Sequence, residues 1–431
     1  MNLKLKEGIG QEMYGWATEM FPFCRSLTGE GVRQTLSYLK ALVPELNVKS
    51  ISSGTQVFDW TVPKEWKVNN AYIANSAGQK IVDFNVSNLH LVGYSTPVNT
   101  VLSLDELNKY LYSLPELPDA IPYVTSYQER WGFCLTHNQR TQLKPDDYKV
   151  VIDSALFDGV LNYADIVIKG ESTQEVLIST YICHPSLANN ELSGPVVTIA
   201  LIKKIKALAH RKYTYRFVFV PETIGSIVYL SRQLESLKKN VVAGFVVSCV
   251  GDDRTYSYVA SREGDTLADK VALHALTHTV NSFCHYDYLK RGSDERQYCA
   301  PGIDLPVCSI MRTRYGDYPE YHTSLDNLDL ISAKGLEGGL NVIYQALTLL
   351  EHNEKLQVTV LGEPQLGKRG LYPTLSSAGE DYTGIATLTN LIAYSDGKRD
   401  LIEIADKINV SAFELIPVVK KLIRFTLIRT K

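Results

Sequence analysis

A chain of 431 residues is too long for one hydrophobic core and implies two or three domains. Its hydrophobic fraction of 45% is ordinary for a globular protein, and a formal net charge of −3 gives nucleic acid or an anionic membrane nothing to bind. The opening "MNLKLKEGIG" lacks the apolar stretch of a signal peptide and no later run reaches the length of a membrane span, so a cytoplasmic protein without a membrane partner is expected.

Residues up to about 55 read as helical, "GVRQTLSYLKALVP" carrying an apolar face that ends at a proline. From Phe58 to Leu143 short alternating runs such as "KIVDFNVSNLHLVGY" are broken by turn-rich stretches, the texture of a small β-rich unit. Strand-like and helix-like segments then alternate. "YKVVIDSAL", "EVLISTYICH", "TYRFVFVPE", "VVAGFVVSCV" and "LPVCSIMR" are strand-like; "GPVVTIALIKKIKALAH" and "LEGGLNVIYQALTLLEHN" are helix-like. Such alternation implies a mainly parallel sheet with helices on both faces. From about Val358 three short helical patterns, with Asp400 and Ser411 as N-caps and "FTLIRT" as a closing strand, give a winged-helix arrangement or a plain three-helix cap. The seven cysteines form no CxxC pair, and Cys183, Cys249 and Cys308 lie inside apolar runs, as buried reduced thiols do.

Polar residues of catalytic type collect at strand ends. His184 closes "VLISTYICH", Glu222 closes "YRFVFVPE", Asp252 and Asp253 follow "GFVVSCVG", and His322 lies downstream of "LPVCSIMR". The carboxyl ends of parallel strands share one crevice, so these residues are expected to meet there. A lone strand-end histidine is more often structural and a strand-end glutamate is often a helix cap. The whole set in this order carries the reading.

"HPSLANNELSG", "VFVPETIGS" and "YHTSLDNLDLI" resemble, in order and spacing, the motifs of the di-zinc aminopeptidase superfamily. With "LTGEGVRQTL", "SGTQVFDWTVPKEW", "GSDERQYCAPGIDLPV" and "RTRYGDYPEYHTSLDN", the chain resembles more closely the aminopeptidase-like proteins associated with bacterial surface-polysaccharide biosynthesis. The resemblance implies a discontinuous aminopeptidase-like α/β domain over 1–57 and 144–356, an inserted β-rich domain over 58–143 and a winged helix over 357–431. It also implies a zinc ligand at His184, a bridging position at Asn190, a general base at Glu222, further ligand positions at Thr223 and Ser248, and a last histidine ligand at His322.

Three of those positions hold neutral side chains, and two adjacent zinc ions need several anions to offset their repulsion. Glu191, Asp252, Asp253, Asp294 and Glu295 are the nearby carboxylates that stand available, with Asn190, Glu191 and Asp253 counted among the metal residues. A single zinc needs three protein ligands and one open position, so one ion per chain is expected over two or none. Arg312, Arg314 and Tyr318 are candidates to hold substrate, or to form structural salt bridges. Trp131 and His137 form either a rim over the crevice or the core of their own unit, and Asp326 either orients a ligand or caps a helix. The implied reaction is hydrolysis of an amide in a small-molecule, peptide or amino-sugar precursor. The alternative is a non-catalytic scaffold that kept the fold. The winged helix is expected to make protein contacts or to drive oligomerisation, and nucleic acid is not an expected partner.

Overall fold

The computed structural model describes residues 8–125, 129–371 and 382–431. The chain divides into two units, one formed by residues up to 268 with 283–341, the other by 269–282 with 342–431. The larger unit is built on an eight-stranded sheet. Its order is Asn47–Ser52, Val160–Ile168, Thr214–Val220, Glu175–Tyr181, Val241–Val246, Val307–Met311, Ser257–Val259 and Cys284–Tyr286. The centre is parallel: Glu175–Tyr181 runs with both Thr214–Val220 and Val241–Val246, and the latter runs with Val307–Met311. Antiparallel strands flank it. Every residue of Glu175–Tyr181, Thr214–Val220 and Val307–Met311 is buried, as in strands covered on both faces. The α/β architecture is the one expected.

The helix Ser193–Lys206 is buried on all sides from Ser193 to Ile202, so it is enclosed rather than laid on the surface. It approaches the sheet so closely that a Cβ on Gly194 would fall 2.4 Å from Thr180 Oγ1 and from the Val247 carbonyl oxygen. Only glycine fits that contact, which is the physical meaning of the Ser-Gly pair at the helix mouth. One π-helical turn, Ala188–Leu192, leads into it.

A four-stranded antiparallel sheet of order Lys80–Asp83, Glu65–Ala74, Asp147–Phe157 and Val98–Ser103 carries the inserted segment. The "YKVVIDSAL" run therefore lies in this small sheet and not in the strand–helix alternation, which takes the sheet past residue 143. Its burial alternates through most of its length, as in a strand with one solvated face. Trp131 stacks on Tyr110 with centroids 3.8 Å apart, and His137 Nδ1 lies 3.1 Å from Ser113 Oγ, so both serve packing within the insert. Of the seven cysteines five are buried, Cys24 is half-buried and Cys284 is exposed; all are free. Among the described residues no helix is long and apolar enough to cross a membrane.

In the smaller unit Lys355–Val358 pairs antiparallel with Asp396–Asp400 and Ile428–Thr430, beside the helices Tyr382–Tyr394, Leu401–Ile408 and Ala412–Arg424. Asp400 caps the second helix through a reciprocal capping box with Glu403, and Ser411 caps the third by accepting from the Phe413 amide. The helix Leu267–Thr279 supplies His274, whose Nδ1 lies 3.1 Å from Asp406 Oδ1 while Nε2 accepts the Ala412 N–H at 2.9 Å. Burial and the neighbouring His278 hold this ring below its usual range, against the pull of Asp406. The unfolded chain thus takes the proton more readily than the folded one. The stabilisation is complete above the ordinary histidine pKa of about 6.5 and declines as pH falls below it. Acidification through that range is expected to lower the melting temperature of this unit. His274→Ala should cost about 1–3 kcal/mol, by leaving the Ala412 amide unpaired, and should flatten the pH dependence. Melting curves of both proteins across pH check this; equal slopes would contradict it.

Candidate active site

The carboxyl ends of the parallel strands deliver three of the expected residues to one place. His184 follows Glu175–Tyr181 by three residues and is buried, and its backbone carbonyl accepts from Arg25 Nε at 2.9 Å. Its Nδ1 lies 2.9 Å from Glu191 Oε2, on the π-helical turn, and 3.5 Å from Cys183 Sγ. Arg25 stands 3.5 Å beyond Glu191, and neither side chain has any exposed surface. Burial alone would push the His184 ring down, but the Cys183 sulfur, the Tyr123 hydroxyl and the Glu191 carboxylate hold it well above its usual range. Burial pushes the Cys183 thiol up to about 11.

The other ring nitrogen, Nε2, faces Glu222 Oε2 across 3.7 Å. Glu222 follows Thr214–Val220 by two residues, and its Oε1 accepts from Ser293 Oγ at 2.8 Å. Its side chain keeps 21% of its surface exposed, whereas Glu191 keeps 0%, so Glu222 is the carboxylate a substrate can reach. Burial holds its pKa above the usual carboxylate value, against the pull of His184, Ser293 and Arg296. The turn after it is strained, for Thr223 sits at φ 64° and ψ −77°. That turn is held by Asp294, which accepts from the Thr223 amide at 2.7 Å and Ser226 Oγ at 2.9 Å, and by Arg296, which donates to Thr223 Oγ1 at 2.6 Å. Buried Asp294 is raised to about 7 by desolvation and by Glu222.

His322 comes from the loop after Val307–Met311. Its ring centroid lies 5.3 Å from that of His184, and burial with the charge of His184 pushes its pKa down to about 3. Tyr321 stacks on it at 3.9 Å. Tyr123, from the inserted segment, sets its ring edgewise to both histidines, at 5.1 Å from His184 and 5.2 Å from His322.

The remaining expected site residues have partners of their own. Asn190 donates Nδ2 to Tyr181 OH at 2.8 Å, and its buried Oδ1 has no hydrogen-bond partner. Asp252 accepts from the Thr313 amide and hydroxyl and from Asn189, while Asp253 turns to Ser332 Oγ. Glu295 accepts from the Gly292 and Ser293 amides and from Tyr315 OH. Asp326 gathers the amides of Ala188, Asn189 and Asn190, so it caps the π-helical turn of an earlier helix. Tyr318 donates to Asp326 at 3.1 Å, Arg312 lies over the Tyr256 ring at 3.9 Å, and Arg314 forks onto Asp317. None of these three touches the histidines through a contact of its side chain among those described here.

Among the described residues the one group of three ligand-type atoms within 4.8 Å of each other is Cys183, His184 and Glu191. A dication there would face the buried Arg25 guanidinium with no solvent to screen the repulsion. The Nε2 side of His184 suits a metal better. Metal-ligating histidines commonly donate their other N–H to a carboxylate, the part Glu191 takes at Nδ1. Glu222 lies on that side, and the His322 ring centroid is 5.3 Å from that of His184.

The parallel centre and the residues at its carboxyl edge define an aminopeptidase-like α/β protein. The solved structure of a zinc aminopeptidase from Bacillus subtilis matches at a TM-score of 0.58 with 12% identity, over 79% of this chain and 94% of that one. A peptidase M28 precursor from Shewanella amazonensis matches at 0.58 with 13% identity, over 80% and 95%. Both show the fold. A family model described as a domain of unknown function (DUF4910) matches residues 14–353, and one described as winged helix-turn-helix matches 354–430. A Clostridium acetobutylicum protein, named for polysaccharide biosynthesis and an aminopeptidase-like domain, is 45% identical over 92% of this chain and 91% of its own. The crystal structure of a candidate peptidase from the same organism matches at a TM-score of 0.91 with 42% identity, over 98% and 96%. The chain belongs to this family of aminopeptidase-like proteins associated with bacterial polysaccharide biosynthesis.

Arg25, Tyr123 and Ser293 have no signal in the sequence that would have placed them here. Arg25 is expected to be the costliest of them to replace. Arg25→Met should destabilise the larger unit by roughly 3–5 kcal/mol in denaturant unfolding, because it strands a buried carboxylate, and Arg25→Lys by less. A loss below about 1 kcal/mol in Arg25→Met would show that Glu191 does not depend on it.

Proposed function

We propose that the protein is a hydrolase of an amide bond that works with one zinc ion at the His184/His322 crevice. The observation that carries this reading is the Glu191–His184 pair, which commits Nδ1 and leaves Nε2 facing Glu222 across 3.7 Å beside the His322 ring. His184 Nε2 and His322 are the residues that would hold the ion, and the buried amide oxygen of Asn190, which has no hydrogen-bond partner, is the candidate for a third ligand. Three such ligands would leave one position open. When bound, zinc supplies a Lewis acid that polarises a carbonyl and lowers the pKa of water to about 7.

The chain's own groups do the rest. Ser293 fixes one oxygen of Glu222, so the other is aimed at the crevice to take a proton from the attacking water and return it to the leaving nitrogen. Arg25 and Glu191 hold the His184 ring, and the Tyr123 and Tyr321 rings exclude bulk water around the histidines. The name of the Clostridium relative supports a substrate amide in an amino sugar or peptide precursor of surface polysaccharide.

A second reading has its own observation: Asn190, Thr223 and Ser248 put neutral groups where charged ligands are expected, and Thr223 is tied into a structural hydrogen-bond network. A scaffold that kept the fold would carry them equally well. Metal analysis of protein purified without chelator separates the two, with close to one zinc per chain expected and its absence after reconstitution favouring the scaffold. Glu222→Gln is expected to keep zinc and fold yet lose roughly 10²–10⁴-fold in hydrolysis. Loss of the metal in that variant would make Glu222 a ligand, and unchanged turnover would remove it from the reaction.

A further inference from the structure

The inserted unit reaches the crevice through residues 121–125. On its inner side the Gly93 amide donates to the Val124 carbonyl at 2.9 Å, and Gly93 bridges Thr125. A Cβ on Gly93 would meet Thr125 Oγ1 at 2.8 Å, so this approach needs glycine. On its outer side the Tyr123 amide donates to the His322 carbonyl at 2.8 Å and the Ser324 amide to the Ile121 carbonyl at 2.8 Å. The Ile121 amide in turn donates to Ser324 Oγ at 2.9 Å. Residues 121–125 are thus clamped between the insert and the loop that carries His322.

His322 needs such a clamp. It sits at φ 56°, a backbone region unfavourable for any residue with a Cβ, and it is kept there only if its surroundings impose it. The clamp also fixes the Tyr123 ring edgewise against both histidines.

We propose that the segment Ile121–Thr125 is the positioning element of the crevice, holding His322 in its left-handed conformation and setting Tyr123 as the wall both histidines face. The insert is thereby a working part of the site. The effect on metal binding rests on the zinc reading above, but the positioning itself does not.

Two readouts on the full chain test it: zinc affinity, and the imidazole ¹⁵N signals of His322 and His184 in metal-free protein. Ser324→Ala removes the acceptor of the Ile121 amide. It is expected to weaken zinc binding roughly 10–100-fold, the range for residues that orient a ligand, and to move the His322 signals. Ser324→Thr, which keeps the hydroxyl, should restore both. Tyr123→Ala leaves all four clamp bonds in place, so it tests the wall even if Ser324→Ala fails to fold. It should shift both histidines, while Tyr123→Phe, which keeps the ring, should leave the His322 signals in place. Wild-type zinc affinity together with unmoved imidazole signals in Ser324→Ala and Tyr123→Ala overturns the proposal. If the wild-type chain takes up no zinc, the hydrolase reading fails and the imidazole signals alone decide: moved signals support the clamp, unmoved ones overturn it.

Discussion

Arg25 and Glu191 face each other at 3.5 Å behind His184, with no exposed side-chain surface on either. A buried ion pair of this kind is held by its neighbours as much as by its own attraction, because both charges have given up water. Here the neighbours are the site itself. Arg25 binds the His184 carbonyl, and Glu191 binds the His184 ring, so one pair fixes both the backbone and the side chain of that residue. Arg25 also donates to the Met20 carbonyl at 2.8 Å, which ties the end of the helix Ile9–Met20 to His184, 159 positions along the chain from Arg25. The orientation of Nε2 toward Glu222 follows from that arrangement.

The charge pattern of the crevice follows from the same pair. With Glu191 spent on Arg25 and His184, the anion open to the crevice is Glu222. Where a two-metal site would have carboxylates, this chain has an amide bonded to a tyrosine, a strained threonine and a serine. The acids that remain nearby hold backbone together: Asp326 caps the π-helical turn, Asp294 pins the turn after Glu222, and Asp252 ties down Thr313. The demand for several anions around two cations is therefore unmet, while a single cation with neutral ligands is consistent with what is present.

Much of this was legible in the sequence. His184 and Glu222 could be found because apolar strands end just before them and the ends of parallel strands converge, and His322 because its motif lies downstream of a third such strand. The three helices and the closing strand of the smaller unit could be read from helical periodicity and from the caps at Asp400 and Ser411, whereas the strands Lys355–Val358 and Asp396–Asp400 could not. What could not be read depends on contacts between distant segments. Arg25 looks like any surface arginine until Glu191 lies beside it, and Tyr123 sits in a proline-bounded stretch with no periodicity. The carboxylates near the site were visible, but only the fold shows that Asp253 turns to Ser332 and that Arg314 is spent on Asp317. The strand Asp147–Phe157 was assigned to the wrong layer because alternation and continuous apolar runs look alike over a few residues.

The central claim is that Glu191 commits Nδ1 of His184 and leaves Nε2 for the crevice. Imidazole ¹⁵N spectroscopy of the wild-type chain during zinc addition tests it most directly. The account predicts that zinc shifts Nε2 of His184 while Nδ1 stays protonated and bonded to Glu191. A shift at Nδ1 with Nε2 left protonated, or no response of His184 to zinc, would contradict it.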